Sequence, residues 1–282
     1  MILSPEIATV FFGLAASVSW GAGDFSGGMA TKRANVISVI TVVHAIGFVF
    51  MLVLALATHE TIPPLADWIW GAIAGLAGVF GLIAFYQALS SGRMGVVAPI
   101  TGVTAALLPV IVGLVSEGLP GVGHLVGFAL ALISVFLVSY AVGTTWSSSG
   151  AGLAISGGIG FGLFLVFAGQ VGNTAVFWPL VAARAASTTT MIVVSLHRKL
   201  PLPIHDPKLR LPVIMAGGLD ALGNVFYVMA SQAGRLDVAA VLSSLYPAMT
   251  ILLAALILKE HIGRIQLIGI VLALVAISLI AI

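Results

Sequence analysis

Four polar side chains of the stretch Gly217 to Ser231 are spaced for one helix face. Asp220, Asn224, Tyr227 and Ser231 stand at i, i+4, i+7 and i+11, among residues that are otherwise apolar or glycine. An acid, an amide, a phenol and a hydroxyl in line can bind a small polar solute or pass a proton. On an oily helix they are costly to show to lipid, so they are expected to face a bundle interior or a wet cavity. Other segments carry similar rows: Ser17, Trp20 and Asp24 at i, i+3, i+7, then Arg184, Thr188 and Met191 on one face, and Thr101 and Thr104 with Ser243 and Tyr246 at equivalent places.

The elements that must position these groups are membrane spans. Of 282 residues, 60% are hydrophobic and only 7% charged, with a mean hydropathy of +1.21, whereas about a quarter of the residues of a soluble domain are charged. The net charge of +2 is scattered, which excludes a nucleic-acid partner. The absence of cysteine excludes disulfides and thiolate metal sites. The first residues lack the basic stretch of a cleavable signal, so the first apolar run is expected to be a permanent span. Runs of about 20 apolar residues fall near 7–28, 36–57, 67–90, 94–116, 121–142, 151–169, 175–196, 211–232, 236–258 and 262–281. An all-α membrane protein of ten transmembrane helices is expected, with short loops and no separate domain for chemistry.

Lys32, Arg33, Arg93, Arg198, Lys199, Lys208, Arg210, Lys259 and Arg264 all follow odd-numbered spans, against Arg235 alone on the other side. The positive-inside rule then puts both termini outside. The chain also repeats. Gly13-Leu14-Ala15, Ser17, Gly21, Gly23 and Phe25 return as Gly152-Leu153-Ala154, Ser156, Gly160, Gly162 and Phe164; Phe85-Tyr86 returns as Phe226-Tyr227; Gly92-Arg93 as Gly234-Arg235; and the run from Gly127 to Leu132 as Gly269 to Leu274. A near-constant offset over the whole length predicts two five-helix repeats, residues 1–145 and 146–282. Five is odd, so the second copy enters the membrane inverted. The two copies are expected to enclose a central cavity and to exchange inward-open and outward-open forms.

Plainer roles compete. Ser and Thr in spans often bond a backbone carbonyl, Tyr86, Tyr227, Trp68, Trp70 and Trp146 suit the membrane interface, and His44 reads as a hydrogen-bonded packing residue rather than a proton relay. Asp24 lies two turns from Lys32 and Arg33 and can belong to the interface. Asp220 and Arg184 can form a structural ion pair. The six histidines, His44, His59, His124, His197, His205 and His261, are dispersed, and neither an HExxH nor a GxSxG sequence occurs. Enzymatic chemistry is not expected, and no cofactor or metal is called for.

With its acid shortly after the fourth span of each copy and a glycine in the fifth, here Glu117 with Gly127 and Glu260 with Gly269, and with Pro109 and Pro247 near the fourth spans, the chain resembles the drug/metabolite transporter superfamily, of the EamA type. The resemblance covers essentially the full length. It implies a secondary transporter of small metabolites, often an exporter, in a prokaryotic plasma membrane, and both termini on the cytoplasmic side, opposite to the charge count. The expected activity is alternating-access movement of a small amphipathic metabolite, an amino acid or related compound. Trp20, Tyr86, Tyr227 and Tyr246 supply apolar contact with a polar tip, Arg184 and Asn224 polar contact, and Asp220 and Asp24 charge recognition or proton coupling. One alternative is a broad cation or drug exporter. Another, of a different class, is a non-transporting scaffold or sensor, which expects Asp220 and Arg184 locked together over too small a cavity. A functional monomer in the lipid bilayer is expected, with small-residue faces able to support a dimer.

Overall fold

The structure is a computed structural model that describes residues 4–91, 94–138, 148–201, 206–257, 259 and 263–280. Gly92, Arg93, Trp146, His205, Glu260 and His261 lie outside the described residues. The described residues form eleven helices: α1 (Pro5–Thr31), α2 (Val36–Ala57), α3 (Leu65–Ser91), α4 (Met94–Ser116), α5 (Val122–Val138), α6 (Ser148–Ala168), α7 (Phe177–His197), α8 (Pro207–Ala233), α9 (Leu236–Ser243), α10 (Tyr246–Ile257) and α11 (Arg264–Ile280).

Local chemistry explains where several begin. Ser4 and Pro5 open α1, Asn35 accepts from Ile37 N at 2.9 Å to open α2, and Asp206 with Pro207 does the same for α8. The ninth apolar run is not one helix. Pro247 has no N–H to donate to the carbonyl four residues back, that of Ser243, and its ring crowds that carbonyl, and the chain turns at Ser244 and Leu245 between α9 and α10.

By length and composition, seven segments among the described residues can cross a membrane: α1, α2, α3, α6, α7, α8 and the α9–α10 pair taken together. Three further apolar helices, over Ile100–Ser116, Val122–Leu137 and Arg264–Ile280, are shorter. Apolar side chains such as Val49, Val53, Leu267 and Leu274 point outward, more than half exposed, as a lipid-facing surface requires.

The halves are interleaved. α1 packs on α8 as α6 packs on α3; α9 and α10 lie on α1 as α4 lies on α6; α3 meets α7 as α8 meets α2; and α5 packs on α11. The helix ends carry the same correspondence. α2 ends with His59 at φ 51° and α7 with Lys199 at φ 51°. The bonds around them match: Glu60 N to Ala55 O at 3.2 Å and His59 N to Leu56 O at 3.2 Å, against Leu200 N to Ser195 O at 3.0 Å and Lys199 N to Leu196 O at 3.1 Å. Both are left-handed C-terminal caps built without glycine.

One end of the bundle is tied by acids. Glu60 accepts from the backbone N–H groups of Val176, Phe177 and Trp178 at 2.7–3.1 Å, replacing the side-chain cap that α7 lacks, while Trp178 Nε1 donates to Glu60 O at 2.9 Å. Asp67 receives Gly172 N at 3.1 Å, and Gln232 Nε2 donates to Gly172 O and Ala175 O at 2.7 and 2.9 Å. Glu117 receives Leu236 N at 3.1 Å, and Arg235 bonds Asp237 at 2.8 Å and Gly118 O at 2.9 Å. The Asp237 carboxylate holds the Arg235 guanidinium above its usual range. At the opposite end, Thr41 and Ser195 hydroxyls meet at 2.8 Å and Thr101 donates to Ala154 O at 3.0 Å.

Candidate functional site: a polar cavity at mid-bundle

A cavity of about 70 Å³ lies among the middles of α1, α2, α3, α6, α7 and α8 and the α9–α10 break. At roughly 10–15 Å³ per water, it has room for about five waters or a compact solute. Six of the eight side chains singled out from the sequence line it: Trp20, Asp24, Arg184, Asp220, Asn224 and Tyr246.

α8 supplies the centre. Asp220 and Asn224 are one turn apart and share a face, as their spacing requires. Trp20 Nε1 on α1 donates to Asn224 Oδ1 at 2.9 Å, and Gly223 makes this approach possible, since a Cβ there would collide with the indole. Gly23 lets α1 close on α8 at the level of the acids: a Cβ on it would stand 3.2 Å from Asp220 N.

From α7, Arg184 Nη2 donates to Asp220 Oδ2 at 2.5 Å. The Arg184 side chain is 4% exposed and that of Asp220 24%, so the arginine is the committed partner and the acid keeps a face toward the cavity. The pair anticipated from the sequence is therefore formed, and a cavity stays open beside it. Gly47 on α2 provides the slot for the guanidinium, because a Cβ would stand 3.2 Å from Nε and 3.4 Å from Cζ. Arg184 Nε and Tyr246 Oη are both buried without a hydrogen-bond partner among the described residues.

Tyr86 and Tyr227 do not line the cavity. Tyr227 is fully buried and donates to Leu165 O at 2.7 Å. Its ring packs with Trp20 at 5.8 Å and Phe164 at 6.2 Å, forming a three-ring plate against the cavity. Tyr86, also buried, fills the hollow left by Gly27 on α1. Farther along the α8 row, Ser231 only bonds Val228 O in its own helix. Thr104 likewise bonds Ile100 O, whereas the buried hydroxyls of Thr188 and Ser243 have no partner among the described residues.

Several cavity residues escaped the sequence reading. His44 is hydrogen-bonded, as its reading anticipates, with Nδ1 2.7 Å from Ser187 Oγ, and it also lies on the cavity wall. Ser187, three residues past Arg184, had a legible helical spacing. Phe161, Phe164 and Leu165 on α6 and Gly75 and Gly78 on α3 had none, since apolar residues and glycines look alike on a wet and a dry face.

Comparison with known proteins agrees with this architecture. The profile of the EamA-like transporter family matches residues 7–140 and again residues 148–282. No curated protein matches the chain. Among solved structures, one titled only "Crystal structure of protein" superposes with a TM-score of 0.76 at 18% identity, over 97% of this chain and 96% of its own. At that identity the likeness shows the fold alone. With seven helices fit to cross a bilayer and a double family match over nearly its whole length, the chain is a multi-pass integral membrane protein belonging to the EamA-like transporter family.

Proposed function

We propose that the protein moves a small amphipathic metabolite, an amino acid or related compound, across the membrane by alternating access, in the direction of export. The observation that carries this reading is a largely apolar cavity at mid-bundle that carries a few charged and polar groups, and whose walls come from both halves of an interleaved repeat: Trp20 and Asp24 from the first, Arg184, Asp220 and Asn224 from the second. In this reading all ten apolar segments cross, and residues 1–145 and 146–282 are two copies of opposite insertion. Two similar copies give the inward-open and outward-open forms similar energies, so a modest differential affinity for solute shifts one to the other. In this reading the two repeat-related tyrosines back the wall, the Tyr227 plate toward the end tied by Glu60 and Glu117 and Tyr86, packed on Gly27, toward the other.

The absence of native cysteine makes a direct test simple. Ser244 lines the cavity, and Ser244→Cys places the sole thiol there. In proteoliposomes of fixed orientation, a membrane-impermeant maleimide is expected to label it from either side. Labelling from one side only, or from neither, rules out alternating access.

A further inference from the structure

We infer that the transported solute carries a net positive charge, as a compact monoamine whose ammonium is held between the Asp24 carboxylate and the Tyr246 phenol. This rests on the transport reading above and narrows its substrate class.

The argument is a charge count on the cavity wall. Among the described residues, its acidic and basic side chains are Asp24, Asp220, Arg184 and His44. Arg184 and Asp220 neutralise one another across 2.5 Å, and His44, bonded to Ser187 at 2.7 Å, counts as neutral. One carboxylate is left over. Asp24 has no hydrogen-bond or ion-pair partner among the described residues, though it is one turn from Trp20 and faces the cavity. An uncompensated carboxylate in such surroundings is costly until a cation arrives.

A second, independent feature points the same way. Tyr246 is 5% exposed, lines the same cavity, and its hydroxyl has no partner among the described residues. A phenol oxygen can accept one N–H of an ammonium whose charge sits on Asp24. The faces of Trp20, Phe161 and Phe164 offer an apolar body its contact and a cation its attraction to the rings.

The same count disfavours a zwitterion. Its carboxylate would need the only arginine on the wall, and Arg184 is committed to Asp220 with its Nε turned toward Gly47. A free acid fares worse, since it adds a second uncompensated anion. The aromatic rings suit an apolar body, and the volume of about 70 Å³ calls for a compact one.

Three probes that differ by one charged group each test this: 3-methylbutylamine, leucine and 4-methylpentanoate, titrated calorimetrically into the full chain in nanodiscs. The amine is expected to bind saturably, leucine about tenfold more weakly or less, and the acid not at all; tenfold corresponds to about 1.4 kcal/mol. Asp24→Asn, an isosteric change, is expected to weaken amine binding at least about tenfold while the melting point of the empty protein rises or is kept, and Tyr246→Phe by a few fold. Leucine or the acid binding as well as the amine, none of the three binding, or Asp24→Asn binding the amine as before would each overturn the inference. Because the ranking on the native chain stands alone, it decides the matter even where a variant fails to fold. If leucine binds best while the Ser244→Cys thiol is labelled from both sides, this inference falls and the transport reading stands; one-sided labelling removes the reading itself.

Discussion

The seam between α1 and α8 and the seam between α3 and α6 are the same interface built twice, and they have been put to opposite uses. Under the repeat, Asp24 corresponds to Leu163 and Trp20 to Ile159 at an offset of 139, while Asp220 corresponds to Val79 and Asn224 to Ile83 at an offset of 141. The first seam holds an indole–amide bond, two acids and a cavity wall. The second reaches the cavity with glycines and apolar side chains alone, among them Gly75, Gly78, Phe161 and Phe164, and is joined backbone to backbone: a Cβ on Gly160 would stand 2.5 Å from Gly81 Cα, and one on Gly81 2.8 Å from Phe161 N. One copy has kept the contact apolar and the other has placed ionisable and hydrogen-bonding groups in it. The fold needs both seams, so a duplicated chain can specialise one of them while its twin keeps the architecture.

The sharpest way to break this comparison is to fill the dry seam. Gly160→Val forces a branched side chain against the backbone of α3, where no flexible side-chain end can yield, and a loss of at least about 3 kcal/mol is expected, at the upper end for overpacking. The check is folded yield and thermal denaturation of the detergent-purified chain. Near-native stability would mean that the two backbones are not in contact and that the two seams do not differ in kind.

Next in size is the ion pair of the wet seam. Asp220→Asn leaves the Arg184 guanidinium, 4% exposed, without its counter-charge, and about 3 kcal/mol of stability is expected to be lost. Arg184→Met combined with Asp220→Leu is expected to regain most of it, since an apolar replacement of a buried pair is often neutral, and to abolish solute flux. Denaturation of both variants and flux in proteoliposomes separate the two roles. A double variant that is stable and still transports would make the pair purely structural.

The polar row on α8 shows what the sequence could and could not reveal. Spacing alone put Asp220 and Asn224 on one buried face, because a helix allows no other arrangement and lipid tolerates no ionised acid. It could not say that Tyr227, on the same face, would turn its hydroxyl to Leu165 O, because that depends on how α6 crosses. The helices themselves were legible nearly to their ends, since apolar length and loop polarity are local properties. The break at Ser244 was signalled by Pro247, yet a proline in an apolar run also fits a mere kink, and the choice is made by packing against α1. His44 reads as hydrogen-bonded, as it is, but not as part of the cavity wall, for a related reason: a lone imidazole has no spacing to read, and only the approach of α7 brings Ser187 to it.

The smallest expected effect tests how local the demand for glycine is within the wet seam. Gly217, Gly218 and Gly223 all belong to α8, yet a Cβ on Gly217 would stand 2.8 Å from Ile46 Cβ and one on Gly223 would collide with Trp20, whereas one on Gly218 meets nothing within 4 Å. Glycine in a helix interior costs roughly 0.5–1 kcal/mol relative to alanine through the extra freedom of the unfolded chain. Gly218→Ala is therefore expected to raise stability by about that amount, with solute flux unchanged because Gly218 does not line the cavity. Thermal denaturation and flux, measured beside Gly223→Ala, form the check. If both alanines destabilised the protein equally, the close approach of α1 would span the whole of this stretch of α8, and the wet seam would be as tight as the dry one.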